Sequence, residues 1–205
     1  MAIPEPKRPE SRDGRARRGE RSRRQIVGAL FALVGEGVLQ PTAQQVADRA
    51  GVGLRTVFRH FEDVDSLFAE MDARLRGEVT PLLASPIAAG ALAARVRALV
   101  ATRAAFFERI APYKRAGNVQ RWRSAFLASN HRTLVRELRA ALVRWLPELA
   151  DARPEVVEAL DLALSFEAWD RLRSEQRLGV ERARETLEHL VLALLGRRAG
   201  GGRGA

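Results

Sequence analysis

Arg55, Thr56, Arg59 and His60 stand within two helical turns of one another, directly after the segment Gly51-Val52-Gly53. All four carry hydrogen-bond donors. An arginine can offer two parallel N–H groups to one guanine edge, and a threonine hydroxyl can reach a base or a phosphate. Arg59 and His60, later along the same stretch, suit phosphate oxygens, which position a protein without reading sequence. Nothing comparable is set up for catalysis. His60, His131 and His189 share no metal-ligand spacing, and no GxSxG, P-loop or dinucleotide fingerprint is present. The chain has no cysteine, which excludes disulfides and thiolate metal sites. The sequence therefore predicts no enzyme, no cofactor and no bound metal.

The elements that must position those donors are legible from spacing. Leu54, Val57, Phe58 and Phe61 recur as on one side of a short helix. Val57 and Phe61 are expected to anchor it, leaving Leu54, Arg55, Thr56, Phe58, Arg59 and His60 on or near the outward side. Just upstream, Thr42 is a favoured N-cap, and Gln45 three residues on completes a capping-box pattern. Val46, Ala47 and Ala50 make a small apolar face, and Gly51 ends that helix. Its donor-bearing N-terminus, with Thr42 and Gln44 beside it, offers a seat for phosphate. Two short helices joined by a tight glycine-bearing turn form a helix-turn-helix, whose second helix docks in the DNA major groove.

The remaining pattern is helical throughout. A helix is expected from near Arg21, with Ile26, Leu30, Leu33 and Val34 inward, after a disordered basic arm over residues 1–20. Another runs from about Asp63 with Leu67, Phe68, Met71 and Leu75, broken by Pro81 and Pro86. Further helices are expected from about Ala88 to just before Pro112, from 122 to 146, from Pro154 to about Gly179, and from 181 to 195. The glycine-rich residues 198–205 read as a disordered tail. No strand alternation and no internal repeat occur. The predicted fold class is all-α: an N-terminal helix-turn-helix domain over 21–75, with its motif at 42–61, and a helical domain over 76–197.

Charge agrees with a polyanionic partner. The 205 residues carry 35 Lys plus Arg against 25 Asp plus Glu, a formal net charge of +10. A surplus of that size favours nucleic acid, although an arginine-rich composition alone would produce it too. No segment approaches the length of apolar chain a membrane span requires, and no signal peptide opens the sequence. A cytoplasmic protein without membrane contact is expected.

At Thr42, "VADRAGV" (46–52), "TVFRHF" (56–61) and Leu67, the sequence resembles the tetracycline-repressor (TetR) family of bacterial regulators. The likeness covers about Arg21 to Leu75, and more weakly "WDRLRSEQRLGVERARETL" near the end. It departs from the family pattern at Gly53, where a serine or threonine cap is usual, at Phe58, where tyrosine is usual, and at Val64, where lysine is usual. The resemblance implies a dimeric, ligand-responsive transcription regulator, more often a repressor. Its partners would be double-stranded operator DNA of near-palindromic sequence and a small-molecule effector. The rival reading is a structural DNA-binding protein without strong sequence preference or ligand response.

The resemblance also implies a pocket between the fourth helix and those that follow. Met71, Leu75, Phe106, Phe107, Tyr113, Trp122, Phe126, Phe166 and Trp169 are the candidate lining, with Asn118, Gln120, Glu167 or Asp170 as polar handles, so a mostly apolar ligand is expected. Residues 156–169 and the last helix carry apolar side chains on more than one side, which fits burial on two faces. A homodimer through the last two helices is therefore expected, with Leu162, Leu187, Leu190, Val191 and Leu194 at its interface.

Overall fold

The computed structural model describes residues 12–61, 63–83 and 89–196. Among these residues the fold is all-α and holds no strand, as the periodicity requires. The helices are α1 (Arg12–Gly35), α2 (Ala43–Ala50), α3 (Leu54–His60), α4 (Val64–Leu83), α5 (Leu92–Gln120), α6 (Ala125–Trp145), α7 (Pro154–Ala163), α8 (Phe166–Asp170) and α9 (Val180–Gly196). No helix among them is long and apolar enough to cross a membrane.

α1 starts earlier than expected. Residues 12–20 are helical rather than part of a disordered arm, because their arginines, Ala16 and Glu20 are good helix formers and Glu20 pairs with Arg24 one turn on. Residues 1–11 of that arm and the tail beyond 196 lie outside the described residues. Further along α1, Ile26, Leu30 and Val34 are buried and receive α2, α3 and α4.

α5 departs from its sequence reading at Pro112, which lies inside the helix instead of ending it. Proline there removes one backbone bond and costs about 3 kcal/mol. Phe106, Phe107 and Ile110 before it and Tyr113 and Ala116 after it are all buried, so packing on both sides of the proline holds the axis. α4 likewise runs two residues past Pro81. The expected domain boundary after residue 75 falls inside α4, so one continuous helix serves both halves of the chain.

The segment from Pro154 to Gly179 is not one helix. α7 stops at Leu164, Ser165 caps α8 by accepting from the Ala168 amide at 3.1 Å, and α8 passes into a wider π-helical turn over Arg171–Glu175. Arg103, buried in the middle of α5, secures the break. Its Nη1 donates to the Leu164 carbonyl at 2.6 Å, and its Nη2 donates to Leu138 of α6 at 2.5 Å. Desolvation pushes this guanidinium down to about 10, with Asp161 partly offsetting it. α5 thus forms the central post of the larger half, with α4, α6, α8 and α9 around it.

Candidate nucleic-acid interface and internal cavity

The helix-turn-helix forms as the spacing requires. Thr42 accepts from the Gln45 amide at 3.2 Å while Gln45 Oε1 accepts from the Thr42 amide at 2.8 Å, so the capping box is closed from both sides. Gly51 takes φ +65, the left-handed conformation that glycine adopts without a Cβ clash, and its amide closes the end of α2. Gly53 caps α3 with no side-chain bond. Val46, Ala47, Val57 and Phe61 are buried, and Ala47 is small enough for α2 to lie close to its neighbours.

α3 is thereby held with one face outward. Leu54, Arg55, Phe58 and Arg59 are exposed, Phe58 to 60 %, and Thr56 is half-buried. Neither Arg55 nor Arg59 has a carboxylate within ion-pair distance among the described residues. On α2, Gln44 is exposed, with its amide donating to Asp48 at 2.7 Å.

His60 differs from the expectation that it faces outward. Its Nε2 is buried without a hydrogen-bond partner, and the ring lies against Gly19 of α1. Desolvation lowers its pKa, and Arg59 and Arg23 lower it further, so the imidazole is held neutral. The i+6 position from Leu54 turns it toward α1, whose early start the sequence did not show. Arg23 of α1 sits beside it and joins three elements. It donates to the His60 carbonyl at 3.3 Å, lies 4.9 Å from the Phe61 ring centre, and forms a charged pair with Glu70 of α4. Sequence reading missed this clamp, because a lone arginine on a basic helix carries no signal of its partner.

A cavity of about 410 Å³ opens between α4, α5 and α6. Met71, Leu75, Phe106 and Tyr113 line it, as expected from the sequence. Phe107, Phe166 and Trp169 do not. They are buried in the core, where Phe107 meets Phe166 edge-on at 5.8 Å and the Trp169 indole donates to Glu108 at 2.9 Å. Trp122 is 75 % exposed at the α5–α6 corner with Arg123 over its ring, and Phe126 packs on the core just outside the cavity. Of the polar handles only Asn118 reaches the main cavity. Gln120 donates to Leu39, Asp170 pairs with Arg115, and Glu167 lies behind Lys114.

The lining is far more cationic than expected. Arg76, Arg103, Lys114, Arg121 and Arg144 all border it, against Asp72 and Glu137. Arg76 takes both carboxylates, with Asp72 at 2.8 Å and Glu137 at 3.5 Å, and also donates to Asn130 at 2.6 Å. At the base of the cavity Tyr113 stacks on Phe31 of α1 at 4.5 Å, and Arg74 lies over the same ring at 4.3 Å. Cavity wall and helix-turn-helix therefore share side-chain contacts through α1 and α4. No cluster of three or more metal-ligating side chains occurs among the described residues.

The expected interface residues divide. Leu162 is 71 % exposed and Leu190 is exposed, whereas Leu187 and Val191 are buried inside this chain's own core and Leu194 is half-buried. The stripe that looked continuous on α9 is thus turned inward at Leu187 and Val191. The outward face instead holds Leu190 on α9 and Leu162 on α7, with Leu192 on another side of α9.

No protein-family model matches the sequence, and no curated protein matches it. Solved structures do match. A transcriptional regulator from Rhodococcus sp. Rha1 aligns over 85 % of this chain and 96 % of its own at 24 % identity, with a TM-score of 0.66. A TetR-family transcriptional regulator from Streptomyces coelicolor aligns over 88 % and 83 % at 17 % identity, with a TM-score of 0.69. This is the TetR-regulator fold. In this chain the helix-turn-helix of α2 and α3 packs on α1, and α4 to α9 form the helical body.

Proposed function

We propose that the protein is a sequence-specific DNA-binding transcription regulator of the TetR type, acting as a cytoplasmic homodimer that represses from a near-palindromic operator. One observation carries this reading: α3 exposes Leu54, Arg55, Phe58 and Arg59 together, both arginines without carboxylate partners among the described residues, while Val57 and Phe61 fix the helix from behind. Exposed arginines alone are ordinary, but Phe58 between them, 60 % exposed, is an apolar group that a partner would cover. In the major groove the same face supplies a base-edge donor, a phosphate donor and an apolar contact for a thymine methyl group. Thr42, Gln44 and Thr56 would take backbone phosphates in this reading. His60 acts through the packing of α3 on α1 instead of touching DNA.

The exposed Leu162 and Leu190 support self-association of the α7 and α9 faces, which would set two α3 helices about one DNA turn apart. The cavity supports an effector role. A ligand that shifts α4 would act on α3 through Arg23, which holds Glu70 and the end of α3 together. Release of DNA then requires that the ligand bind the DNA-free arrangement more tightly.

Selection of bound duplexes from a random pool tests the reading. A palindromic consensus with half-sites one turn apart is the expected outcome. Equal recovery of all sequences, with association governed by salt alone, would instead establish a structural DNA-binding protein.

A further inference from the structure

We propose that the cavity between α4, α5 and α6 takes an amphipathic anion, a carboxylate head on an apolar body, with the head seated against Lys114 and Arg121. This deepens the effector reading above and rests on it.

The argument begins with position. Lys114, Gly117 and Asn118 on α5 and Arg121, the residue that caps its end, follow one another at i, i+3, i+4 and i+7, so all four border the cavity from a single stripe. His131 approaches from α6, where its Nδ1 contacts Lys114 Nζ. The partners of each cation decide which are available. Arg76 is taken by Asp72 and Glu137, and Arg103 is taken by two backbone carbonyls. Arg144 lies exposed at the rim. Lys114 and Arg121 have no carboxylate within ion-pair distance among the described residues, and Arg121 Nη1 is buried without any hydrogen-bond partner.

A buried guanidinium nitrogen left unsatisfied is costly, and natural interiors rarely keep one without use. Burial also pushes the Lys114 ammonium down to about 8, with Glu167 and Arg121 as smaller, opposing influences. Desolvation lowers His131 as well, then Lys114 and Arg121 lower it further, so that the neutral ring accepts from the ammonium. A carboxylate would satisfy the free donors of Lys114 and Arg121 together, with Asn118 able to donate beside them. The apolar part of the lining is supplied by Met71, Leu75, Val79, Leu99 and Phe106, and the carboxylates Asp72 and Glu137 that also border the cavity are neutralised by Arg76. A volume of about 410 Å³ holds about a dozen water-sized groups, enough for a head and a medium-length chain.

The test compares decanoate with decanol and decylamine, titrated into the purified full-length protein and followed calorimetrically. Decanoate is expected to bind at least about tenfold more tightly than decanol, and decylamine is expected not to bind. Lys114→Met and Arg121→Met should each lower decanoate affinity about tenfold and leave decanol affinity unchanged. Two separate variants are used so that a folding defect in one leaves the other decisive. Decanol binding as tightly as decanoate, or variants that hold decanoate unchanged, would overturn the carboxylate head while leaving the effector cavity in place. Failure of decanoate, decanol and decylamine alike to bind would overturn the cavity reading and the head with it.

Discussion

On α3, Arg55 and Arg59 stand in solvent with no carboxylate near them among the described residues, whereas Arg76 and Arg103, two of the five cations that border the cavity, are tied to carboxylates or backbone carbonyls. The difference follows from what surrounds each site before a partner arrives. Water solvates an exposed guanidinium at no cost, so a surface that meets a polyanion can leave its donors open. A cavity has to exist without its ligand, and each cation in it must be satisfied or carry a desolvation penalty. Unpaired charge is therefore ordinary on α3 and exceptional at Lys114 and Arg121. The same local feature has different weight in the two regions.

The largest expected effect separates the cavity wall from the core behind it. Phe106 and Phe107 are adjacent, yet only Phe106 lines the cavity, while Phe107 is fully buried against Phe166. Phe107→Ala should lower unfolding free energy by about 3–5 kcal/mol, measured by denaturant titration. Phe106→Ala borders existing open space, so it should cost less and enlarge the cavity instead. Equal losses at the two positions would erase the distinction between wall and core.

Next is the contrast within α3. Arg55→Ala should weaken specific operator binding by about 1–3 kcal/mol with little change on random duplex. Arg59→Ala should weaken both alike and reduce the salt slope by about one. Binding isotherms on selected and random duplexes at several salt concentrations distinguish them. If Arg55→Ala lowers both affinities equally, the base-reading role passes from Arg55 to another residue.

These two regions were legible to different depths, for a physical reason. The helix-turn-helix is built from residues within about twenty positions of each other, and capping and turn chemistry are written in residue types: Thr42 with Gln45, Gly51, and the Val57–Phe61 spacing. The cavity joins α4, α5 and α6 across long separations in sequence. Phe107 and Phe106 look alike in a string, because helical periodicity gives a face but not what that face meets. Trp122 looked like lining because large aromatics are usually buried, yet the α5–α6 corner leaves it in water. Pro112 shows tertiary packing overriding a local breaker, and Ser165 shows a cap signal overlooked within an apolar run. Arg76, Lys114 and Arg121 could not be sorted into paired and unpaired without coordinates.

A smaller effect tests whether the two regions communicate. Arg23→Met removes the pair with Glu70 and the bond to the His60 carbonyl. Both charges are partly solvent-exposed, so stability should change by no more than about 1 kcal/mol. The coupling should change more. An effector that lowers operator affinity in the native protein should lower it less in this variant, measured as the ratio of operator affinities with and without effector. An unchanged ratio would place the link elsewhere, with Tyr113 on Phe31 the next contact to break.

The finest effect is a dependence on pH centred on Lys114. Facing it are Arg103 from α5, Arg121 at the cap of α5, His131 from α6, Asp161 from α7 and Glu167 from α8, with the Asp72–Arg76 pair of α4 across the cavity. Its folded pKa of about 8 lies below the ordinary lysine value, so between these limits the unfolded chain holds the extra proton. Stability from this group therefore rises as pH increases above about 8, and the rise should vanish in Lys114→Met. A bound carboxylate reverses the preference, since it favours the ammonium and raises that pKa. Affinity for decanoate should then be flat below about pH 8 and fall above it, while decanol affinity stays level. His131, already neutral in this range, adds no second transition. Opposite slopes for unliganded stability and carboxylate affinity are what one desolvated ammonium facing an anion site must produce. Parallel slopes would mean that the titrating group and the head-group seat are not the same.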